Sequence, residues 1–157
     1  KSTDISAYYT LSWTERNFEG LWHSWYPARN DNRHKFTLNA SHRFNKRFDM
    51  FLAWNYHTGN RMTVPTQEIG FTEYYASPYN YKLPDYHRLD LGFNFKKNTK
   101  RGNLSIWNLS VYNAYCRANP ITAFVEGKYL DQQVVSYYGM GVGIIPIIPT
   151  FSYTLKF

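Results

Sequence analysis

Apolar and polar residues alternate along this chain with a period of two. From Thr3 to Thr14, Ile5, Ala7, Tyr9, Leu11 and Trp13 fall on one face and Asp4, Ser6, Tyr8, Thr10 and Ser12 on the other. Successive side chains of a strand point to opposite faces, so the pattern predicts a half-buried strand over 3–14, and helical spacing does not fit it. The same reading predicts a strand over 33–44, with Phe36, Leu38 and Ala40 opposed to Lys35, Thr37, Asn39 and Ser41. It predicts another over 48–58, with Phe48, Met50, Leu52, Trp54 and Tyr56 opposed to Asp49, Ala53, Asn55 and His57. A fourth covers 86–95, where Leu89, Leu91, Phe93 and Phe95 oppose Arg88, Asp90, Gly92 and Asn94. In the fifth, 104–115, Leu104 and Ile106 are out of phase with Trp107, Leu109 and Val111, which predicts a bulge or register shift near its start. The sixth, 145–157, sets Phe151, Tyr153, Leu155 and Phe157 against Thr150, Ser152, Thr154 and Lys156.

The connections alternate in length. A tight Asn45-Lys46-Arg47 turn and the short polar run Lys96 to Asn103 contrast with long connections at 15–32, 59–85 and 116–144. Strands of about ten residues, with short turns at one end and long loops at the other, form the pattern of an outer-membrane, up-and-down antiparallel β-barrel. A soluble sandwich uses strands of about five or six residues, whereas ten tilted residues cross ~25–30 Å of hydrocarbon. Trp13, Trp54, Tyr56 and Tyr153 stand near strand ends on the apolar face, where interfacial aromatic belts sit. The opposite face is small and polar with occasional charges, which suits a wet lumen.

Composition narrows the classes further. The 157 residues make one domain's worth of chain, with 20% aromatics (15 Tyr, 11 Phe and 5 Trp) and 18% charged residues. No stretch approaches ~18 consecutive apolar residues, which excludes a membrane helix. The density of rings excludes a disordered chain. The single cysteine, Cys116, excludes a disulfide scaffold and a multi-thiolate zinc site. The opening Lys1-Ser2-Thr3-Asp4 carries no signal-peptide pattern, and the expectation is a removed leader or an internal piece.

These residues also resemble a known family. The run Asp31-Asn-Arg-His-Lys-Phe-Thr-Leu-Asn-Ala-Ser-His-Arg-Phe-Asn-Lys-Arg-Phe48, then Phe51-Leu-Ala-Trp-Asn-Tyr-His-Thr-Gly-Asn60 and Val64-Pro65, resembles the late barrel strands of TonB-dependent receptors of the Bacteroidetes. So do Tyr86-His-Arg-Leu-Asp-Leu91, Leu109-Ser-Val-Tyr-Asn113 with Asn119-Pro120, and Ile147-Ile-Pro-Thr-Phe-Ser-Tyr-Thr-Leu-Lys-Phe157. The similarity runs in order along nearly the whole chain. Cys116 stands where the family often has Asn, and Gly143-Ile144-Ile145 replaces a usual Ser-Leu-Phe. The resemblance implies an active transporter with an N-terminal plug, an energy-coupling box and a barrel of about 22 strands. This chain would supply the last six, and the plug, the box and roughly sixteen earlier strands would lie outside it. The implied partners are the rest of that receptor, a TonB-type energy-coupling complex, outer-membrane lipid and lipopolysaccharide, and a surface lid lipoprotein. Phe151, Tyr153, Leu155 and Phe157 look like the insertion signal read by the outer-membrane assembly machinery. That signal would place the short turns in the periplasm and the long loops outside the cell. The alternative function is a small outer-membrane barrel acting as adhesin or passive pore.

The chemistry of individual residues is sparse. His23, His34, His42, His57 and His87 show no metal-ligand spacing and read as satisfied polar residues of lumen or interface, so neither metal nor cofactor is expected. A hydrolase would need a nucleophile beside a histidine, and only Asp31 with His34 suggests one, so no catalytic residue is expected. Gly139-Met-Gly-Val-Gly143 lacks the full nucleotide-loop pattern and reads as a flexible loop entering the last strand. Arg29, Arg33 and Lys35 cluster at the outer rim, where lipopolysaccharide phosphates are candidate contacts. Lys46-Arg47 and Lys96-Lys97 with Lys100-Arg101 read as solvated turns, and no basic stripe points to nucleic acid. In the long loops, Trp22, Trp25, Tyr26, Tyr74, Tyr75, Tyr79 and Tyr81 are candidate contacts for a sugar, a peptide or a lid protein.

Overall fold

The alternating segments pair into one antiparallel sheet. In the computed structural model, which describes residues 2–20, 22–69, 72–130, 133–143 and 146–157, every regular element is a strand. In chain order these are β1 (Ser2–Leu11), β2 (Glu15–Phe18), β3 (Trp22–Pro27), β4 (His34–Arg43), β5 (Phe48–His57), β6 (Arg61–Met62) and β7 (Gln67–Ile69). Then follow β8 (Thr72–Tyr74), β9 (Tyr81–Lys82), β10 (Tyr86–Asn98), β11 (Leu104–Tyr112), β12 (Thr122–Leu130), β13 (Gln133–Val142) and β14 (Ile148–Lys156). The large sheet has the order β1-β4-β5-β10-β11-β14, so the six expected strands are neighbours in the order in which they occur. The chain by itself is an open sheet and not a closed barrel, with β1 and β14 as its edges.

Register puts the apolar residues on one continuous face. Ile5, Ala40, Leu52, Leu91, Val111 and Pro149 lie in one row across all six strands. A second row runs Met50, Phe93, Leu109 and Phe151, and a third Phe48, Phe95, Trp107 and Tyr153. Aromatic pairs tie the strands together: Phe48–Phe95 at 4.9 Å, Trp107–Tyr153 at 4.9 Å and Phe36–Trp54 at 5.7 Å between ring centroids. Each such pair is worth about 0.5–1.5 kcal/mol beyond its buried area.

A polar ladder occupies the other face. Arg88 donates to Asp90 (3.0 Å), Tyr86 (3.0 Å) and Tyr112 (2.6 Å), and its guanidinium sits 4.0 Å from the Tyr112 ring centre. Asn108 donates to Asn94 and Asn94 to Asp49, each at 2.8 Å, and Lys96 pairs with Asp49, so the ladder crosses three strands. Phe51 lies directly over Gly92: a Cβ there would come within 2.0 Å of the ring, so only glycine leaves room for it.

The two short turns have local causes. The Asn45 side chain accepts from the N–H groups of Arg47 (2.8 Å) and Phe48 (3.0 Å), an Asx turn that reverses the chain. In the second, Thr99 accepts from Asn103 N at 3.1 Å and Gly102 takes φ 85°, which glycine adopts at little cost.

Several expectations are corrected. No bulge interrupts β11, which pairs without a break to β10 and β14. Leu104 and Ile106 therefore lie on the polar face at the turn end, opposite Lys156 and Thr154. The first strand stops at Leu11 and not at 14, because Thr14 N turns to the Asp31 carboxylate at 3.0 Å. β11 ends at Tyr112, where Asn113 takes φ 55°. The glycine-rich 139–142 is strand and not loop, because β12 supplies it with a ladder, Phe124 opposite Met140. The last strand starts at Ile148; Ile145, the expected start, lies outside the described residues.

Candidate functional site

All three long connections leave the same end of the sheet, and each carries hairpins of its own: β2-β3, then β6-β9 with β7-β8, then β12-β13. Polar side chains at the strand ends fasten the loop bases to one another. Asp31, its side chain 1% exposed, accepts from Thr14 N and faces Arg33 (3.4 Å) and Arg61 (3.8 Å), joining the first loop to the second. Asn32 donates to the Thr58 carbonyl at 2.7 Å and to Asn60 at 2.8 Å, doing with a side chain what a strand does with its backbone. Asp85 accepts from Gly59 N (2.9 Å) and the Tyr56 hydroxyl (2.7 Å) and pairs with Lys82 (2.9 Å). Gly59 is required here because a Cβ would meet the Leu83 carbonyl at 1.7 Å. Arg117 reaches the Asp85 carbonyl at 3.1 Å, and Asn119 bonds both backbone groups of His87 (3.0 and 2.9 Å), tying the third loop to the second. Asn113, 1% exposed, takes the Arg117 N–H on its side-chain oxygen at 3.2 Å.

Burial works against the charge on Asp85, but Lys82, the Tyr56 hydroxyl and the Gly59 N–H outweigh it and hold the carboxyl at about 2, below its ordinary 3.8. A depressed carboxyl contributes its stability above the ordinary value and loses it as pH falls through the folded one. Bracing of the second loop is thus complete above about pH 4 and fails as pH falls toward 2. Because Asp85 is over a third exposed, solvent screening reduces its contribution to about 1 kcal/mol. Asp85→Asn at pH 6 should lower hydrogen-exchange protection at Gly59 and Leu83 by about fivefold. Unchanged protection would show that Asp85 does not brace the loop.

The aromatic candidates divide. Tyr26 is buried and packs on Tyr79, ring centres 6.2 Å apart, so this pair joins the first two loops. Trp22 and Tyr81 are half-buried on β3 and β9. Trp25 on β3, 68% exposed, Tyr74 at the end of β8 and Tyr75 just after it are exposed, with the Tyr75 hydroxyl donating to Glu73. Leu21 and Phe71, which flank these clusters, lie outside the described residues.

The basic candidates also separate. Arg29 and Arg33 both flank Arg61, while Lys35 lies on the polar face between Thr10 and His57. Phe151, Tyr153 and Leu155 share the apolar face, beside Leu109, Trp107 and Ser105, and Phe157 is exposed. Asp31 and His34 line one groove without bonding: Asp31 is taken by Thr14 and the arginines, and His34 Nδ1 lies 2.8 Å from the Tyr9 hydroxyl. By register His34, His42 and His87 stand at the ends of the apolar face, with Tyr9, Thr3 and Tyr115 as hydroxyl partners. His57 lies on the polar face, stacked on Tyr86 at 4.7 Å.

Sequence reasoning missed the braces Asp31, Asn32, Asp85, Asn113 and Arg117. The available signal was an Asp or Asn at each point where alternation stops. No protein-family model matches the chain, and no curated protein or solved structure matches it either.

Proposed function

We propose that this chain forms part of the wall of a TonB-dependent outer-membrane transporter, with the braced loop end outside and the short turns in the periplasm. The observation that carries the reading is the two-sided, open sheet. Its apolar face has nothing packed on it: among the described residues the buried apolar side chains are Tyr26, Ala28, Leu83 and Ala123, none in the six-stranded sheet. The chain exposes 11304 Å², against about 8300 Å² for a compact monomer of its mass. A soluble protein does not leave so continuous an apolar face in water, and strands of nine to thirteen residues match the hydrocarbon thickness. The polar ladder on the reverse suits a lumen. Unpaired edges on β1 and β14 call for further strands, as the family resemblance implies.

In this reading Trp25, Tyr74 and Tyr75 meet the extracellular ligand or a lid lipoprotein. Arg29 and Arg33, with Arg61, meet lipopolysaccharide phosphates at the rim. The intact protein in detergent should bind saturably to an immobilised periplasmic domain of the energy-coupling protein. Absence of binding would remove the transporter reading and leave the adhesin or passive pore.

A further inference from the structure

The net charge of the chain is +7, and nearly all of it lies at one end of the sheet. Counted by segment, with Lys1 set aside, the loop side holds nine cations and nine carboxylates. The turn side holds eight cations and only two carboxylates, Asp4 and Asp49. Six of these cations are Lys46 and Arg47 in the first turn, Lys96 and Lys97 at the end of β10, and Lys100 and Arg101 in the second turn. Arg43 and Lys156 stand on the adjacent strand ends.

The two ends also differ in pairing. On the loop side four of the nine cations face a carboxylate among the described residues: Arg33 and Arg61 at Asp31, Lys82 at Asp85, and Arg88 at Asp90. On the turn side Lys96 pairs with Asp49. Lys46, Arg47, Lys97, Lys100 and Arg101 are exposed and make no ion pair or side-chain hydrogen bond among the described residues. The turns are fixed to each other by a bond from Lys96 N to the Arg47 carbonyl at 2.7 Å. Between them opens a groove whose lining includes Lys46, Arg47, Phe48, Phe95 and Lys97, together with the paired Lys96. Phe48 and Phe95 stack at 4.9 Å on the apolar face, and Lys97 shares that face by register.

Unneutralised cations directly above an exposed aromatic floor match one chemistry, a phosphodiester anion carrying hydrocarbon. The geometry points to the turn end as a binding surface for anionic phospholipid, the headgroup phosphate between Lys46, Arg47 and Lys97 and the upper acyl chain against Phe48 and Phe95. This rests on the membrane reading and adds a lipid preference to the leaflet that the turns meet. Cations beside an anionic leaflet are each worth about fivefold in affinity at low salt, and the effect fades within a Debye length as salt rises.

The test uses the intact protein in vesicles of phosphatidylcholine alone or mixed with phosphatidylglycerol, with native mass spectrometry counting retained lipids. Phosphatidylglycerol should be retained in preference, and the combined variant Lys46→Gln, Arg47→Gln, Lys97→Gln should lose about fivefold per cation removed. Arg16→Gln, on the loop side, should keep the preference. Equal retention of the two lipids, a preference that survives the triple variant, or displacement by soluble glycerol phosphate would each overturn the proposal while leaving the membrane reading intact. Failure to enter either vesicle would overturn both.

Discussion

Expressed alone, the 157-residue chain should yield no folded, monodisperse species of 18.7 kDa in detergent, and native mass spectrometry of the intact protein should find it only as part of a much larger particle. The reason is edge chemistry. Among the described residues β1, of ten residues, pairs only with β4, and β14, of nine, only with β11. About half the backbone N–H and C=O groups of each edge strand therefore point away from any partner. Each such group costs several kcal/mol in hydrocarbon, so the total exceeds the ~5–15 kcal/mol stability of a typical domain. Closing six strands on themselves offers no escape, since eight already make a barrel just wide enough for its interior side chains. Here the polar face must hold Tyr8, Phe51, His57 and the Arg88–Tyr112 stack. A folded 18.7 kDa species with no partner would overturn the transporter assignment.

The second large effect is expected from single arginines placed at one depth on opposite faces. Leu52 and Leu91 are cross-strand partners in the middle row of the apolar face. Leu52→Arg or Leu91→Arg should destabilise the intact protein by about 2–4 kcal/mol, the cost of arginine at the bilayer midplane. Ala53→Arg, one residue along, lies on the polar face opposite Asp90 and should cost much less. Ala53 serves this comparison better than Asn55, which lies opposite Arg88 and would add like-charge repulsion. A refolding titration in lipid vesicles decides it: equal losses on the two faces would sink the membrane assignment.

How much was legible varied from element to element. β5 was readable to within a residue, because Phe48, Met50, Leu52, Trp54 and Tyr56 keep an unbroken two-residue period on one face, with Phe51 the one large apolar residue on the other. β11 was misread at Leu104 and Ile106, since sequence alone does not show that an apolar side chain is tolerated on the polar face beside a turn. The hairpin β12-β13 was missed, as its glycines read as loop and its pairing depends on a partner strand. Among the candidate contacts, Tyr26 and Tyr74 look alike in the sequence, yet one is buried against Tyr79 and the other is open.

The sequence by itself determined which residues share a face, where the short turns fall and that the chain is all-β. These properties are local, set by the two-residue period of an extended backbone and by side chains such as Asn45 that bond their own neighbours. Only the tertiary structure decided that Asp31, Asp85 and Asn119 lock three loops together, and that cations in excess of carboxylates gather at one end of the sheet while the two balance at the other. Those outcomes depend on partners such as Arg117 and Asp85, 32 residues apart in the chain, which meet only after antiparallel pairing has brought the strand ends into one rim.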